Sequence, residues 1–154
     1  LTKNNMQKIL MVCLGNICRS PLAEGILTSK VDSDLVYVDS AGTAAYHVGN
    51  LPDKRSIQIA AKHGINISNQ RARKFTEQDF DNFDVIYAMD QSNYKNIKSL
   101  ARSKEDEIKV KLILNETHPE MNDNVPDPYY GGNEGFQNVY QMLDKACEII
   151  ASKL

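Results

Sequence analysis

The sequence predicts an α/β fold, a three-layer αβα sandwich built on a four-stranded parallel twisted sheet, and three observations predict it. Short apolar runs alternate with segments of helical period. Glycine, proline and small polar residues punctuate the boundaries between them. The chain then closes on one long amphipathic stretch. With 154 residues and 42% hydrophobic content, there is enough apolar material for one domain with its own core and too little length for two ordinary ones. One domain over 1–154 is therefore expected, with residues 1–6 a loose N-terminal extension.

Lys8 to Leu14 is a compact apolar run ending at Gly15 and reads as a buried strand. Ser20 and Pro21 then signal a helix start, because proline in the first turn loses no hydrogen bond and presets φ. A helix from Pro21 to about Ser29 would turn Leu22, Ala23, Ile26 and Leu27 inward. A second strand is expected over Leu35 to Asp39, a loop holding Gly42 and Gly49, and a helix from about Asp53 to His63 stopped by Gly64. A third strand at Asp84 to Met89 leads to a polar helix near Ser92 to Leu100, and a fourth strand falls around Val110 to Leu114. Asn115 to Asn133, with Pro119, Pro126 and Pro128, carries the longest run of loop chemistry and is expected on the surface. Phe136, Val139, Tyr140, Leu143, Ala146, Cys147 and Ile150 recur at helical spacing, which makes Cys147 a core residue. Strands alternating with helices imply right-handed crossovers and a sheet covered on both faces.

A net charge of −2 gives no basic surplus of the kind that nucleic-acid binding shows, so any anion site must be local. No apolar stretch is long enough to span a membrane, and the start shows no signal-peptide pattern, so a cytoplasmic protein is expected. The three cysteines suggest no disulfide framework, and no second Cys pair or clustered His completes a metal site. Neither metal nor cofactor is expected.

The first strand-to-helix turn, Cys13-Leu-Gly-Asn-Ile-Cys-Arg-Ser20, holds the chemistry. Ligands of open α/β sheets bind beyond the carboxyl ends of the strands, and a glycine, an arginine and a helix N-terminus there suit an anion. Backbone N–H groups of Leu14, Gly15, Asn16, Ile17, Cys18 and Arg19 can surround a phosphate, with the Arg19 guanidinium adding a bidentate pair. Helix dipole and guanidinium both favour a sulfur anion at Cys13, so a nucleophile faces a bound phosphoryl group. The Ser20 hydroxyl can donate to that sulfur. The leaving oxygen needs a proton, and Asp127, held between Pro126 and Pro128, is the carboxyl best placed to supply it.

Val12-Cys-Leu-Gly-Asn-Ile-Cys-Arg-Ser-Pro21 together with the distant Asp127-Pro-Tyr-Tyr130 resembles the low-molecular-weight protein-tyrosine phosphatase family. The resemblance spans nearly the whole chain and takes in Asp39-Ser-Ala-Gly42, Pro52-Asp-Lys-Arg55, His63-Gly-Ile65, Arg71-Ala-Arg73 and Met89-Asp90. It implies the phosphotyrosine phosphatase I-like fold and hydrolysis of phosphotyrosine in proteins through a phosphocysteine intermediate, with phosphate or other oxyanions as product or inhibitor. It makes Cys13 the nucleophile, Arg19 the phosphate clamp, Asp127 the general acid and base, and Ser20 the thiolate partner. Asn16 and Ser40 would support the loop, Asn16 in a partly left-handed conformation. By the same resemblance Cys18 forms a reversible disulfide with Cys13. Tyr129 and Tyr130 would form one wall for the substrate ring, with Tyr46 and His47 opposite. Many relatives carry a histidine where this chain reads Ser68-Asn-Gln70; a rewired supporting network is expected there, in which Asn69 or Gln70 can still hydrogen-bond, with modest consequences and no loss of activity.

Three other readings compete. Protein-arginine phosphatases share the loop but carry threonine inside it, where this chain has Ile17, an apolar side chain that suits a phenyl ring. Arsenate reductases of the same fold need resolving cysteines downstream, and only Cys147 remains. A non-catalytic phosphate-binding module would be expected to lack the nucleophile or the acid.

Overall fold

A computed structural model describes residues 6–154, apart from the side chain of Tyr130. The expectation of a loose extension over residues 1–6 therefore falls almost entirely outside the described residues.

Four parallel strands, β1 (Gln7–Cys13), β2 (Val36–Gly42), β3 (Val85–Ala88) and β4 (Val110–Leu112), lie in the order β2-β1-β3-β4. The strand chemistry explains the layers. Side chains alternate along β1, so Ile9, Met11 and Cys13 enter one core and Leu10 and Val12 the other. Helices α1 (Arg19–Lys30), α2 (Lys54–Lys62) and α6 (Gly132–Ser152) cover the first face. The second face packs on α3 (Asp79–Asn82), α4 (Gln91–Ser99) and the aromatic rings of Phe75, Phe80 and Phe83. A sixth helix, α5 (Lys104–Lys109), leads directly into β4. This is the expected three-layer sandwich.

The amphipathic residues expected of the last helix are all buried in α6. So are Leu22, Ala23, Ile26 and Leu27 of α1. Elsewhere the boundaries differ, and the differences converge on one end of the sheet. Leu14 leaves the strand and is 42% exposed, because the chain turns away from the sheet straight after Cys13. α1 begins at Arg19, two residues before Pro21, which still lies in the first turn, where a missing N–H costs nothing. β2 runs on through Ser40, Ala41 and Gly42, which pair with Met11, Val12 and Cys13. β4 ends at Leu112 and tightens into a 3-10 turn over Ile113–Asn115. The long loop that follows is mostly exposed, yet Val125 is fully buried, its N–H donating to the Met89 carbonyl at 2.9 Å.

In this strand order the chain runs from β1 to β2 on one side and later returns to β3 on the other. The carboxyl end of β1 is therefore the topological switch point, where open α/β sheets bind their ligands.

Candidate active site

The loop from Cys13 to Arg19 is held from outside by its carbonyls. Thr43 N–H donates to the Cys13 carbonyl, Ala44 N–H to Leu14, Asp53 N–H to Ile17 and the Ser56 hydroxyl to Cys18, at 2.9, 2.9, 2.7 and 3.2 Å. Peptide units are planar and trans, so an outward carbonyl turns the next residue's N–H the other way. The N–H groups of Leu14, Gly15, Cys18 and Arg19 thus face the loop's interior. Gly42 makes this closeness possible: a Cβ there would meet the Leu14 carbonyl oxygen at 2.7 Å.

Asn16 sits in the left-handed region at φ 58°, a conformation asparagine tolerates better than most residues. Its amide is fully committed, donating to Ser20 Oγ at 2.8 Å and Ser40 Oγ at 3.0 Å while its Oδ1 accepts from Arg73 N–H at 3.0 Å. Ser20 Oγ lies 3.0 Å from Cys13 Sγ, and Asn16 N–H lies 3.3 Å from the same sulfur. Ser20 Oγ accepts from Asn16, which leaves its own hydrogen for the sulfur or for the Ala41 carbonyl at 3.5 Å.

Arg19 is 3% exposed. Its Nη1 donates to Asp90 Oδ2 at 2.7 Å and to the Val125 carbonyl at 3.0 Å, while Nη2 lies 3.9 Å from Asp127 Oδ2. Burial opposes its charge, but Cys13 and Asp90 hold the guanidinium above its ordinary range. Asp127 caps a 3-10 turn, its Oδ1 accepting from Tyr129 N–H at 3.0 Å, and its carboxyl is 40% exposed. One cavity of about 230 Å³ gathers Cys13, Leu14, Gly15, Ile17, Cys18, Arg19, Tyr46, His47, Asp127 and Tyr129. The expectation for the Tyr130 side chain lies outside the described residues. Cys18 borders the same cavity, and burial, reinforced by Asp53 and Cys13, pushes its thiol up to about 12.

Sequence reasoning missed three contributors. Asp90 caps α4 through Asn93 N–H at 2.8 Å and also holds Arg19. An aspartate just past the end of a buried strand, at the ligand-binding edge of the sheet, was the available signal. Arg55 forks onto Asp53 and lays its guanidinium 5.5 Å from the Tyr129 ring centre and 4.6 Å from that of Phe136. Glu24 accepts from Ser40 Oγ at 2.7 Å, behind the loop. Of the Ser68-Asn69-Gln70 segment, Gln70 donates its amide to the Pro21 carbonyl at 3.1 Å. Cys147 is fully buried, its Sγ–H directed at the Ala23 carbonyl at 3.8 Å, with burial pushing the thiol up to about 12. No thiol relay can run through it.

The geometry assembles a sulfur, an inward ring of N–H groups, a buried guanidinium and a carboxyl around one small cavity. Known proteins resemble the chain in sequence and in fold. The family model for low molecular weight phosphotyrosine protein phosphatase matches residues 8–154. A low molecular weight phosphotyrosine protein phosphatase of Schizosaccharomyces pombe is 43% identical over 94% of each chain. A protein tyrosine phosphatase of Entamoeba histolytica, solved with Hepes in the active site, superposes with TM-score 0.89 at 36% identity over 96% of each chain. The Drosophila arginine phosphatase superposes with TM-score 0.86 at 34% identity over 96% of this chain and 97% of its own. The chain belongs to the low molecular weight phosphotyrosine protein phosphatase family.

Proposed function

We propose that this protein hydrolyses phosphotyrosine in proteins, and small aryl phosphates, through a phosphocysteine intermediate. The observation that carries the reading is the placement of Arg19: buried, held by Asp90, and set between the Cys13 loop and the Asp127 carboxyl. The phosphate dianion lies in the ring of N–H groups with Arg19 clamping its oxygens. Cys13 Sγ attacks phosphorus in line, the bond from phosphorus to the phenolic oxygen breaks, and Asp127 gives that oxygen its proton. Asp127, now a carboxylate, takes a proton from water as the water oxygen attacks phosphorus. The sulfur–phosphorus bond breaks, and the departing sulfur anion accepts the Ser20 hydrogen bond. Tyr46 and Tyr129, which border the cavity, flank the substrate ring.

Cys18 extends the reading to oxidation. Peroxide converts Cys13 to a sulfenic acid, the Cys18 thiol condenses with it, water leaves and a reducible disulfide remains. A neutral Cys18 thiol leaves Cys13 the first sulfur oxidised. A reducing cytoplasm is the compartment this chemistry suits, and no helix among the described residues is long and apolar enough to cross a membrane.

Similarity to an arginine phosphatase keeps a second substrate in view. Ile17 borders the cavity and offers a phosphoarginine guanidinium no hydrogen bond, whereas it packs against a phenyl ring. Turnover on matched phosphotyrosine, phosphoserine and phosphoarginine peptides tests this. Phosphotyrosine is expected to lead by at least about tenfold in kcat/KM. A lead for phosphoarginine would overturn the assignment.

A further inference from the structure

Glu24 lies outside the substrate cavity, on α1, and borders a separate cavity of about 300 Å³ with Gln70, Asn66 and Asn69. It ends an unbroken series of side-chain hydrogen bonds that begins at the nucleophilic sulfur. From Glu24 Oε1 the links are Ser40 Oγ at 2.7 Å, Asn16 Nδ2 at 3.0 Å, Ser20 Oγ at 2.8 Å and Cys13 Sγ at 3.0 Å.

We propose that Glu24 is a positioning residue for the phosphatase reaction, acting through Ser40 and Asn16 to fix the Ser20 hydroxyl on the Cys13 sulfur; the proposal rests on the reading of Cys13 as nucleophile. Donor accounting gives the series its direction. With its hydrogen committed to Glu24, Ser40 turns its lone pairs to Asn16. The Asn16 amide cannot be reversed, because its Oδ1 takes the Arg73 N–H and both its hydrogens are used. Ser20 is thereby made an acceptor, and its hydrogen goes to the sulfur rather than to the Ala41 carbonyl, which stands farther off at 3.5 Å. Without an acceptor at position 24 the Ser40 hydrogen has no other partner among the described residues, and a buried hydroxyl turns elsewhere at the expense of Asn16.

The device also responds to pH. Burial pushes the Glu24 carboxyl up to about 7; the Ser40 hydrogen bond opposes that rise, Asp39 adds to it and Arg73 opposes it. Tyr37 is the other titratable group that feels the carboxylate. Arg73 is itself engaged by Asp39 and Asp79, and no cation among the described residues forms an ion pair with Glu24. A charged acceptor holds Ser40 roughly twice as strongly as a neutral one, so the positioning strengthens as pH rises through the titration.

The test follows the Asn16 side-chain amide of the resting protein by NMR from about pH 5 to about pH 9, beside the Glu24→Gln variant. The wild-type amide signals are expected to shift with a midpoint of about 7, and that shift is expected to vanish in the variant. On an aryl phosphate, the wild-type to variant ratio of kcat is expected to rise from about 1 at low pH to about tenfold at high pH, with KM changing less. An Asn16 amide that does not titrate, one that titrates unchanged in the variant, or a flat kcat ratio overturns the proposal. The NMR arm needs no turnover, so it decides the relay even if the reading of Cys13 fails. Should Glu24→Gln not fold, Glu24→Asp, one methylene too short for Ser40, is used instead: kcat is then expected to be lower than wild type at every pH and the Asn16 shift with a midpoint of about 7 to vanish, and wild-type kcat at all pH values or an unchanged Asn16 titration overturns the proposal.

Discussion

Asp90 holds two groups with one carboxylate, and two substitutions separate them. Oδ1 accepts from Asn93 N–H at 2.8 Å and caps α4, while Oδ2 accepts from Arg19 Nη1 at 2.7 Å. Asparagine at this position can keep the cap through Oδ1, since it is as good an N-cap as aspartate, but it then turns its Nδ2 amide, a donor, towards Arg19, so the charge and the acceptor opposite Nη1 are both lost. Asp90→Asn should cost about 1.5–3 kcal/mol of stability, the loss of one hydrogen bond to a charged group. Asp90→Ala loses the cap, worth about 1 kcal/mol, and also leaves a buried guanidinium unpaired. Breaking a fully buried ion pair costs about 3–5 kcal/mol, and because the Asp90 side chain is 21% exposed the lower figure applies, about 4 kcal/mol with the cap. Function should fall in the same order. An Arg19 held only by the Val125 carbonyl and a carboxyl 3.9 Å away is poorly aimed. The alanine variant should then lose about 10²-fold in kcat/KM on an aryl phosphate and the asparagine variant about tenfold. Urea unfolding measures the first pair of numbers and steady-state kinetics the second. Equal stability loss in both variants, with kcat/KM untouched in the asparagine variant, would refute the claim that Asp90 aims Arg19.

Three further outcomes follow from the packing and the charges. Gly42→Ala places a methyl against the Leu14 carbonyl oxygen, and since backbone must yield, unfolding should become easier by about 1–3 kcal/mol and phosphate binding should weaken together with it. Unchanged phosphate affinity by calorimetry would contradict this. Cys147→Ala should lower stability by about 1–2 kcal/mol and leave kcat/KM unchanged, whereas a loss of turnover would mean that this buried thiol takes part in the chemistry. Glu24 has its folded carboxyl raised from 4.5 to about 7, so between those values the native state keeps a proton that the unfolded chain has lost. Wild-type stability should fall as pH rises through that window, by up to about 3 kcal/mol, and Glu24→Gln should remove the fall. Urea midpoints on either side of the window that move in parallel for both proteins would count against it.

How much of this was legible in the sequence depends on range. Local signals sufficed for the α6 face, for the inward residues of α1 and for the strand that delivers Cys13, because each rests on periodicity within a dozen residues. The Pro126-Asp127-Pro128 run likewise marked a constrained carboxyl more than a hundred residues from the loop it approaches. Boundaries near the site were less legible. The early start of α1 follows from the tight turn at Asn16, and the extra length of β2 follows from its pairing with the end of β1. α3 and α5 are too short to show a period, although Ser103, whose hydroxyl accepts from Asp106 N–H, marked the start of α5. Asp90 and Glu24 reach the site only through the tertiary fold. The place of Asp90 after β3 marks it as near the ligand-binding edge but not as the partner of Arg19, and nothing in the segment around Glu24 says that it will meet Ser40.

In the proposed mechanism Cys13 carries the phosphoryl group between the two half-reactions. Asp127→Ala should slow release of that group, because the same carboxylate activates the water, while an aryl phosphate with a good leaving group still loads the enzyme. Rapid acid quench of that variant during turnover, followed by mass spectrometry of the peptide containing Cys13, is the direct measurement. A phosphoryl group is expected on Cys13, and none when Cys13 is also replaced by serine. A peptide that never carries phosphate, or a Cys13→Ser single variant that turns over at the wild-type rate, would contradict it.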